Sequence, residues 1–255
     1  MTSAAPPPPL ASPSPLRSSS QPPSPLRSSS QSPSPLPAPS PSPSPGPTAG
    51  PRVVILDYGS GNLRSAERAL ARTGADVTVT SDLSAAAEAD GLVVPGVGAY
   101  ASCMAGIESL GAGPVIASRV AQGRPVLGIC VGMQILFDSG VEHGVETKGI
   151  GLLPGAVTRL TASRIPHMGW NTVSAGAGSR LFDDTAAGER FYFVHSYAAS
   201  DLDLLRDAGA TVTTASHDLP FAAAVELGSL SAAQFHPEKS GDAGYALLRN
   251  WVTRL

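Results

Sequence analysis

Cysteine is scarce in this chain: Cys103 and Cys130 are the only two among 255 residues. Two cysteines make no disulfide framework, and the sequence reads as cytosolic. No apolar run is long enough to span a bilayer. Basic residues form no cluster, and acidic residues outnumber them 20 to 17. Neither nucleic acid nor a membrane surface is therefore an obvious partner. No residue group has metal-ligand spacing, and no glycine pattern suits the cradling of a nucleotide. No metal and no cofactor are expected.

Proline is equally sparse once the first 51 residues are set aside, since 18 of the 25 lie at or before Pro51. Residues 1–51 are almost wholly Pro, Ser and Ala, with SPSPLRSSSQ at 12–21 followed by PPSPLRSSSQ at 22–31. Such a segment buries too little apolar surface to offset the entropy of ordering, so a disordered tail is expected over 1–51. It lacks the charged start and apolar core of a secretory signal. It reads as an inert extension rather than a ligand for proline-binding modules. Residues 52–255 suit one compact domain with a single core.

Within that domain RVVILDYG (52–59), ADVTVTSD (75–82), GLVVPGVGAY (91–100) and PVLGIC (125–130) read as strands. Helical spacing separates them at SGNLRSAERALARTG, from about Tyr100, and near Val115 to Gln122. VGMQILFDSG (131–140) reads as the next helix. This rhythm predicts an α/β fold with a mostly parallel central sheet flanked by helices. The segments from 149 to 238 are short strands with turn signals, and predict a mixed or antiparallel extension of that sheet. A helix closes the chain over 241–255. Ligands of such sheets sit at the carboxyl ends of the strands, where the loops after VVPGVG, GIC and QFHPE fall.

GICVGMQ (128–134) places Cys130 between two glycines at the end of an apolar strand. A strand–nucleophile–helix turn of this form needs glycines for its sharpness and for close approach of its neighbours. The helix that follows aims amides and a positive end at the sulfur, favouring the thiolate. The Val131 amide is placed to donate to an oxyanion. Taken alone, the turn does not decide between a nucleophile and a buried structural cysteine. QFHPEKS (234–240) supplies what a nucleophile needs, a base and an orienting acid. On an extended segment Glu238 points to the same side as His236. His143 and His217 read as solvated, His167 and His195 as core or site-lining, and Cys103 as helix packing. In PGVG (95–98) glycines flank Val97 and leave its peptide free to present an amide, although alone the loop is an ordinary βα turn.

Together, GICVGMQ and HPE resemble the class I, or triad, glutamine amidotransferases, whose domain is flavodoxin-like. Within them DYGSGNL (57–63), PGVGAY (95–100), PHMGWN (166–171), FVHSY (193–197) and QFHPEKS resemble the glutaminase subunits of imidazole glycerol phosphate synthase. The resemblance covers 52–255 and none of the tail, which is the one departure from the pattern. It implies that Cys130 is the nucleophile, His236 the base and Glu238 its orienter. It implies oxyanion donors among the amides of Val131, Val97 and Gly98. It implies a glutamine pocket lined by Gly98, Gln134, Glu142, His195, Ser196 and Tyr197. It also implies a (β/α)₈ barrel cyclase partner in a heterodimer, faced by Asn62, Met168, Trp170 and Lys239. Two other readings use the same fold: a stand-alone γ-glutamyl hydrolase and a catalytically silent regulatory subunit.

Overall fold

The computed structural model describes residues 50–255 apart from 184 and 187. The tail expected over 1–51 thus lies, but for its last two residues, outside the described residues. The first half of the domain alternates as predicted: β1 (Arg52–Leu56), α1 (Leu63–Ala71), β2 (Asp76–Thr80), α2 (Leu83–Glu88), β3 (Gly91–Gly96), α3 (Tyr100–Leu110), α4 (Ala112–Ala121), β4 (Val126–Cys130) and α5 (Val131–Gln134). β3 and β4 are buried throughout and β1 at all but its first residue, because their apolar runs are covered on both sheet faces. β2 alternates as DVTVT and is the half-exposed edge strand. The sequence reading did not foresee α2, which is capped by the Asp82 carboxylate accepting from Ser84 N at 2.8 Å.

The second half contributes β5 (Phe137–Glu142), β6 (Val145–Lys148), β7 (Leu153–Arg159), β8 (His167–Thr172), β9 (Arg190–His195), β10 (Tyr197–Ala199), α6 (Leu202–Asp207), β11 (Thr211–His217), β12 (Leu219–Leu227), β13 (Leu230–Ala233) and α7 (Gly241–Val252). The main sheet runs β11-β12-β13-β4-β3-β1-β2. Its five strands from β2 to β13 are parallel, and β11 and β12 are antiparallel additions at one edge. Counting β13 as fifth, the parallel order is 2-1-3-4-5, the flavodoxin-like doubly wound order.

Two expectations need correction. The strand segments of the second half do not all extend the main sheet. β13 takes the place beside β4, with β12 and β11 beyond it, so β5 to β10 lie outside this sheet. They form a separate sheet, β10-β7-β5-β6, and a two-stranded antiparallel ribbon, β8-β9. The helix expected over 131–140 stops at Gln134. Ile135, Leu136 and Phe137 are all fully buried, leaving no polar helix face, and the chain continues as β5. His143 and Gly144, both at positive φ, close the tight turn to β6.

Buried Arg119 of α4 ties the layers together. One terminal guanidinium nitrogen donates to the carbonyls of Ala86, Ala87 and Ala89, the other to those of Asp90 and Pro125. It closes the end of α2 and the entries to β3 and β4 with one side chain. Five of the six phenylalanines (Phe182, Phe191, Phe193, Phe221 and Phe235) pack edge-on or tilted against one another, Phe191 and Phe193 from β9 itself.

Candidate active site

The switch point of a 2-1-3-4-5 sheet lies between β1 and β3, and the loops at that carboxyl edge form the site. Cys130 ends β4 with φ +56° and ψ −116°, a conformation that costs free energy outside glycine and is characteristic of a nucleophile turn. The flanking glycines make it possible. A Cβ on Gly132 would lie 1.9 Å from the Val94 carbonyl oxygen. One on Gly96 would lie 2.4 Å from Gly132 N, and one on Gly128 2.8 Å from Gly132 O. Three glycines thus let the backbones of β3, β4 and α5 touch. Val131 opens α5, so its amide has no acceptor within the helix.

His236 follows β13, and Pro237–Lys239 form a single 3-10 turn rather than the extended segment expected. The turn, not strand alternation, brings the His236 Nδ1 to 2.8 Å from Glu238 Oε1, with both side chains 3% exposed. The β9 strand holds this turn: His236 N donates to Tyr192 O at 2.9 Å, and Tyr192 N to Ser240 Oγ at 3.0 Å. Burial pulls the imidazolium of His236 down, but contacts with the Cys130 sulfur and the Glu238 carboxylate outweigh it. The net result is a pKa raised to about 9. The imidazole therefore spans sulfur and carboxylate, which is the arrangement of a base that moves a thiol proton.

A cleft of about 320 Å³ opens above Cys130. Cys130, Val131, Val97, His236 and Lys239 line it, as do all six residues expected to bind substrate: Gly98, Gln134, Glu142, His195, Ser196 and Tyr197. Glu142 is fixed there by accepting from Tyr100 N, the first residue of α3, at 3.0 Å. Val97 differs from expectation in one respect. Its amide donates to Ser60 Oγ at 3.1 Å, while the Ser60 hydroxyl donates to Val97 O at 2.9 Å. Cys103, expected only to pack, joins this knot at 3.2 Å from Ser60 Oγ.

The model of the family described as glutamine amidotransferase class-I matches residues 54–255. The chain belongs to the class I glutamine amidotransferases. A curated relative from Mycolicibacterium paratuberculosis, named imidazole glycerol phosphate synthase subunit HisH, is 64% identical over 203 residues, covering 80% of this chain and 98% of its own length. The protein of the same name from Nocardia farcinica is 63% identical over 206 residues, with the same coverage. Among solved structures, PurLQS from Thermotoga maritima shares the fold at a TM-score of 0.60 and 18% identity, over 80% of this chain and 99% of that one.

In this amidotransferase, β8 presents Met168 and Trp170 outward, 63% and 52% exposed, while His167 and Asn171 face inward. Lys239 is exposed, and Asn62 is half-buried in the gap behind His236 and Glu238. His217, expected to be solvated, is half-buried and stacks on His167 at 4.4 Å between ring centres. His167 and His195 pair directly, Nδ1 to Nε2, at 3.0 Å. Sequence reasoning missed Ser60, Val194 and Gln234. The first lies within the quoted DYGSGNL and the last opens the quoted QFHPEKS, but no spacing rule distinguishes them from turn and core residues.

Proposed function

We infer that this amidotransferase is the glutaminase subunit of an imidazole glycerol phosphate synthase, feeding ammonia to a cyclase in histidine biosynthesis. One observation carries the chemistry: Cys130 sits on a strained strand–helix turn at the floor of the cleft, against an imidazole that Glu238 holds at 2.8 Å. His236 takes the thiol proton and the sulfur attacks the side-chain amide carbon of glutamine, forming a tetrahedral oxyanion. Collapse breaks the C–N bond, His236 returns the proton to the departing nitrogen, and ammonia leaves behind a glutamyl thioester. Water, deprotonated by His236, adds to the thioester, and glutamate departs as the sulfur takes back the proton. The Val131 amide supports both oxyanions. Glu142 supplies a negative charge for the substrate ammonium, and Gln134, whose Nε2 is held by Tyr197 O and Gln234 Oε1, offers its own Oε1 as an acceptor for the substrate amide.

The partner is a (β/α)₈ barrel cyclase in a heterodimer, and Met168 and Trp170 are its apolar anchors. The hold of Ser60 on the Val97 amide favours this reading over a stand-alone γ-glutamyl hydrolase. Without the partner, one candidate oxyanion donor is already occupied. A cytosolic setting suits the two free thiols. The test is ¹⁵N-amide glutamine given to the complex, with the cyclase substrate, in excess unlabelled ammonium. Label retained in the imidazole product supports direct transfer of ammonia; label diluted to the bulk ratio contradicts it.

A further inference from the structure

Gln234 follows β13, is fully buried, and does not itself line the cleft. Its amide lies between two functional groups. Oε1 accepts from Gln134 Nε2 at 3.0 Å, and Nε2 faces Cys130 Sγ in a long N–H···S contact of 4.0 Å. The direction of this arrangement is dictated by neighbours. The Tyr197 carbonyl can only accept, and Gln134 Nε2 donates to it at 2.9 Å. Gln134 thereby presents its NH₂ to Gln234 as well, Gln234 answers with its oxygen, and its own NH₂ is left toward the sulfur.

The same carbonyl is fixed from the opposite side. His195 Nδ1 donates to Tyr197 O at 3.0 Å, which leaves His195 Nε2 to accept from His167 Nδ1 at 3.0 Å. His167 Nε2 in turn accepts from Asn171 Nδ2 at 3.2 Å, and that nitrogen also donates to the Ser216 carbonyl at 2.9 Å. Every step has one allowed sense, because both ends of the chain are carbonyls. Both imidazoles must stay neutral for it to hold. Burial does push them down, His167 to about 4 and His195 to about 3.

We propose that Gln234 is a positioning residue for Cys130, holding an amide N–H toward the sulfur and favouring the thiolate that attacks glutamine. A donor facing a buried sulfur interacts more strongly when the sulfur is charged. This role rests on the reading of Cys130 as the nucleophile.

The experiment is iodoacetamide alkylation of Cys130 across pH, read by peptide mass so that buried Cys103 is counted separately. It is run on the full chain and on Gln234→Met and Gln234→Leu, with thermal melting to establish folding. Both substitutions remove the donor, and two shapes guard against one failing to fold. The expected result is a rise of about one unit in the pH of half-maximal alkylation, with reaction at pH 7 about tenfold slower. An unmoved profile in a folded Gln234 variant overturns the assignment. His236→Asn is run alongside. If it leaves the profile unmoved, the triad reading itself fails. If it shifts the profile and neither Gln234 variant does, only the role of Gln234 falls.

Discussion

In the proposed function Cys130, His236 and Glu238 divide the chemistry of the cleft, and each proposed role has its own signature. Cys130→Ala removes the nucleophile and should abolish glutamate release while leaving the fold and partner binding intact. His236→Asn should lower kcat by on the order of 10²–10⁴-fold, the range for loss of a general base. Retention of more than a tenth of the activity by either variant, in a steady-state glutaminase assay, would contradict the triad. Ser60→Ala removes the two hydrogen bonds from Ser60 to Val97, leaving only the Cys103 Sγ contact with Val97 O. It should raise the partner-free rate several-fold, about 1 kcal/mol being the scale of one such bond; an unchanged or lower rate would show that the knot does not limit the free enzyme. The grouping of Cys130, His236 and Glu238 was legible in the sequence because its motifs are local: a cysteine between glycines, and a His and Glu two residues apart. The reason given for the His–Glu pairing did not hold, since a 3-10 turn replaces the strand. Ser60 and Gln234 were not legible, because their roles depend on contacts with Val97 and Cys130 that only the folded sheet creates.

At the scale of elements, the site depends on backbones that touch. Gly132→Ala puts a methyl group 1.9 Å from the Val94 carbonyl and must push α5 away from β3. The expected cost is about 1–3 kcal/mol of stability, with about a hundredfold loss of kcat from misplacement of the sulfur. Denaturant unfolding and the glutaminase assay read the two effects separately. Arg119→Met removes a donor from five carbonyls at the ends of α2, β3 and β4, of which Ala89 O keeps Arg124 Nη2 and Pro125 O keeps Leu92 N. It should cost about 3 kcal/mol or more without changing KM for glutamine, because Arg119 does not line the cleft. β1, β3 and β4 were readable because burial on both faces writes an unbroken apolar run. β5 was misread as helix because Ile135, Leu136 and Phe137 form such a run too. The His143-Gly144 turn was the available correction.

For the whole molecule, the buried histidines set a stability maximum near neutral pH. His167 and His195 have folded values of about 4 and 3, below the ordinary 6.5. Below pH 6.5 the unfolded chain gains protons that the folded chain refuses. Stability should therefore fall as pH drops toward 4, by up to about 2.7 kcal/mol per unit for the two groups together. His236 acts in the opposite window. Its folded value of about 9 lies above 6.5, so its contribution is complete below pH 6.5 and is lost as pH rises through 9. Urea unfolding of the wild type from pH 4 to 9.5 should trace a maximum between 6 and 7.5, and His236→Asn should flatten its alkaline side. A parallel sheet flanked by helices was implied by the alternation of strands and helices, whereas the place of β13 in it and the division of the second half into a separate sheet and a ribbon were not. β13 claims the edge of β4 from 100 residues away, and no local pattern announces that.

The central claim, a triad glutaminase that serves a cyclase, is tested most directly by glutamate release from glutamine. The purified chain is assayed alone, then with a barrel cyclase and its ribonucleotide substrate. The account predicts slow release alone and a large rise with the liganded partner. Fast release that the partner does not alter would contradict it and point to an independent γ-glutamyl hydrolase. Silence in both conditions, with the partner bound, would contradict it in favour of a regulatory subunit.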